Sequence, residues 1–108
     1  MDRTEVSLWI EDALSECLAH SEREDLESAI TAWRSAYGHF EERLEPALRY
    51  HEADSNKIAE LEFLIGRVGA AARANDPAGM AKAIGVFEEK LAILLPIIPQ
   101  ATEAALTH

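Results

Sequence analysis

The feature that most constrains the fold is a run of apolar residues at steps of three and four between Ser21 and His51. Residues at this spacing share one face of an α-helix, whereas a half-buried strand would need strict alternation. The members of the run are Leu26, Ile30, Trp33, Tyr37, Phe40, Leu44 and Leu48. Ser21 and Glu24 have the spacing of a capping box, which predicts that the helix begins at Ser21. The stretch therefore predicts a long amphipathic helix that buries its aromatic side chains.

Three other segments repeat the same helical spacing. Their apolar positions are Val6, Ile10, Ala13, Leu14 and Cys17 in the first, Ile58, Leu61, Ile65, Val68 and Ala72 in the third, and Met80, Ile84, Phe87, Leu91 and Leu94 or Leu95 in the fourth. We expect the first helix to end near Ala19 and the third to span about Asn56 to Ala74. Short connections make successive helices antiparallel neighbours. The sequence predicts an all-α protein, an antiparallel up-down four-helix bundle that forms one domain over residues 1–108.

Prolines and turn residues mark where the helices bend and end. Pro46 removes a backbone donor inside the second helix, which predicts a kink near Glu42 to Pro46. The sequence Asn75-Asp76-Pro77 combines a left-handed position, an N-cap and a first-turn proline, and so separates the third and fourth helices. Asp54 or Ser55 is expected to cap the third helix. Pro96 and Pro99 are expected to kink or interrupt the fourth helix before a last helical piece, Gln100 to Leu106.

Composition argues against several classes of function. Twenty acidic and ten basic residues give a formal charge of −10, which repels nucleic-acid phosphates and anionic lipid. The single Cys17 allows neither an internal disulfide nor a multi-cysteine zinc site, and its place on an apolar stripe favours a core residue over a reactive thiol. The most apolar stretch, Leu91 to Ile98, is too short to span a bilayer, so we expect no direct membrane insertion. The N-terminus lacks a signal-peptide pattern.

No motif for catalysis is evident. The sequence lacks a glycine-rich phosphate loop, a nucleophile elbow and an HExxH pair. Its histidines also lack the spacing to carboxylates that is typical of metal centres in helical bundles. We therefore expect a protein that is not an enzyme.

Carboxylates are the residues with the clearest chemical potential. Glu42 and Glu45 are three apart and Glu41 and Glu45 four apart, so each pair shares a helical face. His51 extends the apolar stripe, and Glu62 follows Ile58 by one turn and is able to face the second helix. Carboxylates with one imidazole suit a hard or borderline cation such as iron, manganese or zinc. We therefore take Glu42, Glu45, His51 and Glu62 as candidate metal ligands. The alternative is a solvated acidic face with His51 partly buried.

Two apolar groups have alternative interpretations. Trp33, Tyr37 and Phe40 are able to line a ligand pocket, but their helical spacing favours the bundle core. The apolar run from Ile93 to Ile98 exceeds what one buried stripe requires, which suggests a dimer surface or an interface with another domain.

The second helix also resembles a known family. Ala36-Tyr37, Glu42 and Glu45-Pro46-Ala47-Leu48-Arg49 resemble the pattern A-Y-x-x-x-x-E-x-x-E-P-A-L-R of the extracytoplasmic helical domain of bacterial FTR1-type iron permeases. Glu60, Glu62 and Phe63 fit the helix that follows in that domain, and Asn75-Asp76 fits its turn. The permease's membrane segments have no counterpart here, so its transport activity does not carry over.

The resemblance implies an acidic helical domain related to iron uptake or handling. Glu42 and Glu45 would bind a cation, with iron as the implied metal, or relay it to a partner. The alternative is a metal-free module for protein–protein interaction or dimerisation, either as a homodimer or with another protein. As the sequence stands we expect a cytoplasmic protein, and a periplasmic one if the domain is excised from a permease.

Overall fold

The structure, a computed structural model, describes residues 3–99, and its regular elements in that range are all helical. In chain order they are α1 (Arg3–Glu22), α2 (Leu26–His39), a π-helical turn (Phe40–Leu44), α3 (Glu45–Tyr50), α4 (Ser55–Arg73), α5 (Pro77–Leu94) and a 3-10 turn (Leu95–Ile97). Because α2, the π turn and α3 follow one another without a break, they form the second of four helices. The all-α prediction is confirmed. The last predicted piece, Gln100 to Leu106, lies outside the described residues.

The predicted start of the second helix at Ser21 is wrong. Helix α1 continues to Glu22, so Ser21 lies buried in its last turn. Glu24 adopts a left-handed conformation with φ of 59°, which prevents it from serving as the third residue of a helix. Asp25 caps α2 instead, and its carboxylate accepts a hydrogen bond from the Ser28 backbone N–H at 3.2 Å.

The predicted caps of the last two helices are confirmed. Asp54 accepts from the Asn56 N–H at 2.8 Å, and Asp76 accepts from the Gly79 N–H at 3.0 Å. Asn75 has a φ of 53°, as expected for the left-handed residue between two helices. These polar side chains fix where α4 and α5 begin.

The predicted irregularity in the second helix takes the form of the π turn. The Glu45 N–H donates to the Phe40 carbonyl, five residues back, immediately before Pro46. The buried residues here, Ala36, Phe40, Leu44 and Leu48, follow one another at steps of four. In a regular α-helix each such step overshoots a full turn by about 40°. The wider π turn absorbs this overshoot and keeps all four side chains facing the core.

The buried stripes of α1, α4 and α5 are those that the sequence predicts, and that of α2 is not. Leu26 is 44% exposed, and Trp33 and Tyr37 are half-buried, whereas Ala29, Ala32 and Ala36 face the core. Alanines allow α1 to approach α2 closely, which leaves the large aromatic rings at the side of α2. Cys17 is buried, and burial raises the pKa of its thiol to about 11, as expected for a core residue.

Each helix contacts two principal neighbours. Helix α1 packs against α2 and α5, and α4 packs against α2 and α5, contacts that are compatible with a four-helix bundle. Among residues 3–99, no helix has the length and apolar character needed to cross a membrane.

Candidate functional site

Trp33 sets the distance between α2 and α4. Its indole N–H donates to the Ile65 carbonyl at 2.8 Å, and its ring lies against the backbone at Gly69. A Cβ added at Gly69 would come within 2.5 Å of the ring atom Cε2. The Arg73 guanidinium covers the ring, 5.0 Å from the centroid. The absence of a side chain at Gly69 therefore allows α2 and α4 to approach closely.

Tyr37, one turn after Trp33, is influenced by the negative charges of three carboxylates. The two rings stack with centroids 5.3 Å apart. A hydrogen bond to the Glu41 carboxylate raises the pKa of Tyr37, and desolvation and the negative charges of Glu41, Glu62 and Glu45 raise it further. We call Tyr37, Glu41, Glu45 and Glu62 the Tyr37 acidic group. It gathers residues from α2, the π turn, α3 and α4.

Glu45 already has a cationic partner. Arg49 donates to its Oε1 from Nε at 3.2 Å and from Nη2 at 3.1 Å. The Glu45 side chain is 19% exposed and that of Arg49 is 52% exposed. A cation that binds Glu45 therefore has to compete with a guanidinium that faces solvent.

Two of the four predicted ligands, Glu45 and Glu62, belong to the Tyr37 acidic group. Glu42 is exposed, and His51 packs edge-on against the Tyr50 ring at 5.1 Å. No contact within residues 3–99 joins either of them to the group. Glu41 was considered in the sequence only as a neighbour of Glu45. The four-residue steps from Tyr37 to Glu41 and Glu45 are the signal that would have identified it.

Within residues 3–99, no three histidine, cysteine, aspartate or glutamate side chains lie close enough together to hold a metal ion. The three carboxylates of the Tyr37 acidic group act electrostatically on one phenol but do not form a closed coordination shell. Glu41 and Glu62 are exposed, so their side chains are able to change rotamer. The group as it stands is an open anionic surface.

A second feature that the sequence analysis missed lies between α1 and α2. The Trp9 ring has the Arg43 guanidinium 5.2 Å from its centroid and the His39 ring at 5.4 Å. Asp12 and Glu16 also line this groove, whose volume is about 340 Å³. Because its walls carry both signs of charge, the groove selects no single ligand chemistry.

No known family model matches this sequence, and neither a curated protein nor a solved structure matches it. The function must therefore be argued from the residues and their arrangement.

Proposed function

We propose that this protein is a non-enzymatic, acidic, antiparallel up-down four-helix bundle that binds a cation weakly through the Tyr37 acidic group and acts in iron uptake or handling. The proposal is supported by the negative charges of Glu41, Glu45 and Glu62, which come from the second helix and from α4 and all raise the pKa of Tyr37. Carboxylate oxygens are hard ligands that suit iron and manganese. The segment from Glu42 to Arg49 resembles the helical domain of iron permeases, and this resemblance favours iron as the bound metal.

Binding requires a local exchange of partners. The cation draws in the exposed Glu41 and Glu62 carboxylates and displaces Arg49 from Glu45. The site is open to solvent, and a metal ion that binds there must compete with the Arg49 guanidinium. Such a site binds the metal ion weakly and releases it quickly. These properties suit the transfer of a metal ion to a partner better than its storage.

Calorimetric titration of the metal-stripped protein with ferrous, manganous and zinc ions tests the proposal. We expect saturable binding that is lost when Glu41, Glu45 and Glu62 are replaced together by Gln. Arg49→Gln should tighten binding, because it frees the Glu45 carboxylate. The double variant Glu42→Gln/His51→Gln removes only the two sequence-predicted ligands that lie outside the Tyr37 acidic group, and so tests them separately from that group. Equal affinity in the native protein and the triple variant would contradict this site.

Tyr37 provides an optical reporter of the same event. In a Tyr50→Phe background, absorbance at alkaline pH follows the ionisation of Tyr37 alone, since the sequence has two tyrosines. A bound cation neutralises the carboxylates that raise the pKa of Tyr37, so its titration should move to lower pH when calcium ion, a hard cation that stays soluble at alkaline pH, is added. An unchanged titration at saturating calcium would exclude binding of a hard cation beside this phenol.

A second candidate is the metal-free interaction module. It is favoured by large apolar side chains on the surface, among them Phe63 at 61% exposure and Ile93 at 65%. This candidate predicts that association depends on apolar side chains and is not lost when Glu41, Glu45 and Glu62 are replaced by Gln. Sedimentation analysis of those variants distinguishes the two functions.

A further inference from the structure

Phe63 lies on the side of α4 opposite its buried stripe. The stripe, Ile58, Leu61, Ile65, Val68 and Ala72, occupies one side of the helix, and Phe63 points about 180° away from its centre by helical geometry. Three small exposed residues, Ala59, Gly66 and Ala70, share the outer face with Phe63. A Cβ added at Gly66 would meet no atom within 4 Å. The outer face of α4 therefore presents one large ring beside an open gap.

The arrangement of this face is self-complementary. The midpoint between Ala59 and Ala70 lies between positions 64 and 65 of the helix, and the midpoint between Phe63 and Gly66 lies at the same point. A second copy related by a two-fold axis at that point runs antiparallel to α4. Each Phe63 then packs at Gly66 of the partner subunit, and each Ala59 packs at Ala70 of the partner subunit. A two-fold contact is isologous, so one face that fits itself is sufficient.

Charge supports the same pairing. A two-fold axis of this kind brings the same flank of each helix together. On the flank towards α5, Glu60 pairs with Lys90 of the same chain at 3.7 Å, both side chains being about half exposed, and Arg67 covers the Phe63 ring at 5.8 Å. The two-fold axis brings Arg67 of the partner subunit towards the exposed side of Glu60, so that the carboxylate lies between Lys90 and that guanidinium, and the arrangement occurs twice. On the other flank the two Glu62 carboxylates approach each other, which opposes association.

The distribution of charge over the whole chain favours α4 over α1 as the contact surface. Residues 1–54 contain 14 acidic and 5 basic residues, whereas α4 and α5 together contain 4 acidic and 5 basic residues. If two copies met through α1 or α2, their acidic segments, residues 1–54, would lie face to face and repel each other. Contact through α4 keeps those halves apart.

We infer that the outer face of α4 is the interface of a homodimer, in which Phe63 packs at Gly66 of the partner subunit and Glu60 pairs with Arg67 of the partner subunit. This inference rests on the second candidate function and names its partner as a second copy of the chain. A contact made by one helix from each copy is small, so the dimer is weak.

Sedimentation equilibrium of the full chain at protein concentrations up to about 1 mM, where weak association becomes measurable, tests the inference. The native protein should shift from its monomer mass of 11.9 kDa towards twice that value. Phe63→Ala and Gly66→Leu should abolish the shift. Gly85→Leu is the matched control, because a Cβ at Gly85, like one at Gly66, meets no atom within 4 Å. Circular dichroism verifies that each variant remains helical.

Charge variants give an independent measure. Glu60→Gln should weaken association, and Glu62→Gln, two residues away on the opposite flank, should strengthen it. A protein that stays monomeric at every concentration would overturn both the inference and self-association as a function. A dimer that persists in Phe63→Ala and Gly66→Leu but is lost in Ile93→Asn would overturn the α4 interface and leave the interaction module standing. Neither result affects the calorimetric test of cation binding.

Discussion

Ser21 carries a buried hydroxyl whose Oγ has no hydrogen-bond partner among the described residues. A hydroxyl of this kind has lost its hydration without compensation, so removing it is expected to be neutral or favourable. Ser21→Ala should leave the free energy of unfolding unchanged or raise it by up to about 1 kcal/mol. Urea denaturation at neutral pH measures this.

Ser7 is the matched control for this change. It is also buried in α1, but its Oγ donates to the Glu11 carboxylate at 3.4 Å. Ser7→Ala should therefore lower the free energy of unfolding by roughly 0.5–1 kcal/mol. A loss of stability in Ser21→Ala as large as that in Ser7→Ala would show that the Ser21 hydroxyl has a partner.

At the scale of the element, the contact of α2 with α4 depends on the absence of a side chain at Gly69. Because the hydrogen bond to Ile65 and the stacked Tyr37 hold the Trp33 ring in place, the ring has little freedom to move away from a new methyl group. Gly69→Ala should destabilise the protein by about 1–3 kcal/mol, as overpacking does. Thermal and urea unfolding measure the loss.

Gly85→Ala isolates the steric effect from helix propensity. Its new methyl group meets no atom within 4 Å, so the change should stabilise α5 by up to about 1 kcal/mol. Trp33 fluorescence should respond to Gly69→Ala and not to Gly85→Ala. Equal stability of the two variants would mean that Trp33 does not fix the spacing of α2 and α4.

The seam between α1 and α5 holds two carboxylates that oppose each other. Desolvation and the negative charge of Glu11 raise the pKa of Glu88. The folded state therefore binds this proton more tightly than the unfolded state, and stability falls as pH rises from the unfolded pKa through the folded pKa. Glu88→Gln should stabilise the protein at neutral pH.

The pH dependence of that gain identifies its cause. The gain should vanish below pH 4.5, the ordinary value for this carboxyl, because Glu88 is then protonated in both states. Urea denaturation of the native protein and Glu88→Gln between pH 4 and pH 7 measures the difference. A gain that persists at pH 4 would point to packing and not to charge.

The elements that were predicted correctly are those with local signals. Asp54, Asp76 and Asn75 determine helix ends through their own side chains or backbone, and the stripes of α1, α4 and α5 consist of large apolar residues with little ambiguity. The second helix has two candidate faces, one aromatic and one of alanines. Which of them faces the core depends on how closely α1 approaches, and that is a tertiary property.

The candidate site likewise combines local features, which the sequence predicts, with tertiary features, which it does not. The carboxylates near Pro46 are visible in the sequence, and Glu45 and Glu62, two of the predicted ligands, belong to the Tyr37 acidic group. The sequence does not show that a π turn interrupts the regular helical spacing between Glu42 and Glu45. The effect of Glu62 on the pKa of Tyr37 depends on the packing of α2 against α4, where Trp33 lies against Gly69, a residue distant from it in the chain.

At the scale of the whole molecule, the uneven charge should appear in its stability. Residues 1–54 carry 14 acidic and 5 basic residues, so this half repels itself, whereas α4 and α5 are close to neutral. The midpoint of thermal unfolding should rise as sodium chloride shortens the Debye length from about 30 Å at 0.01 M to about 8 Å at 0.15 M. Differential scanning calorimetry at fixed protein concentration measures this.

Replacement of either of two exposed glutamates tests whether the electrostatic repulsion is confined to residues 1–54. Glu16 lies four residues after Asp12 on α1, where like charges destabilise a helix. Glu89 on α5 has Gly85 and Ile93 at the corresponding positions. Glu16→Gln should raise the unfolding midpoint at 0.01 M salt and lose that advantage at 0.5 M, and Glu89→Gln should show a smaller effect at both. Equal gains would mean that the net charge of −10 acts uniformly and that the acidic half has no separate role in directing a second copy to α4.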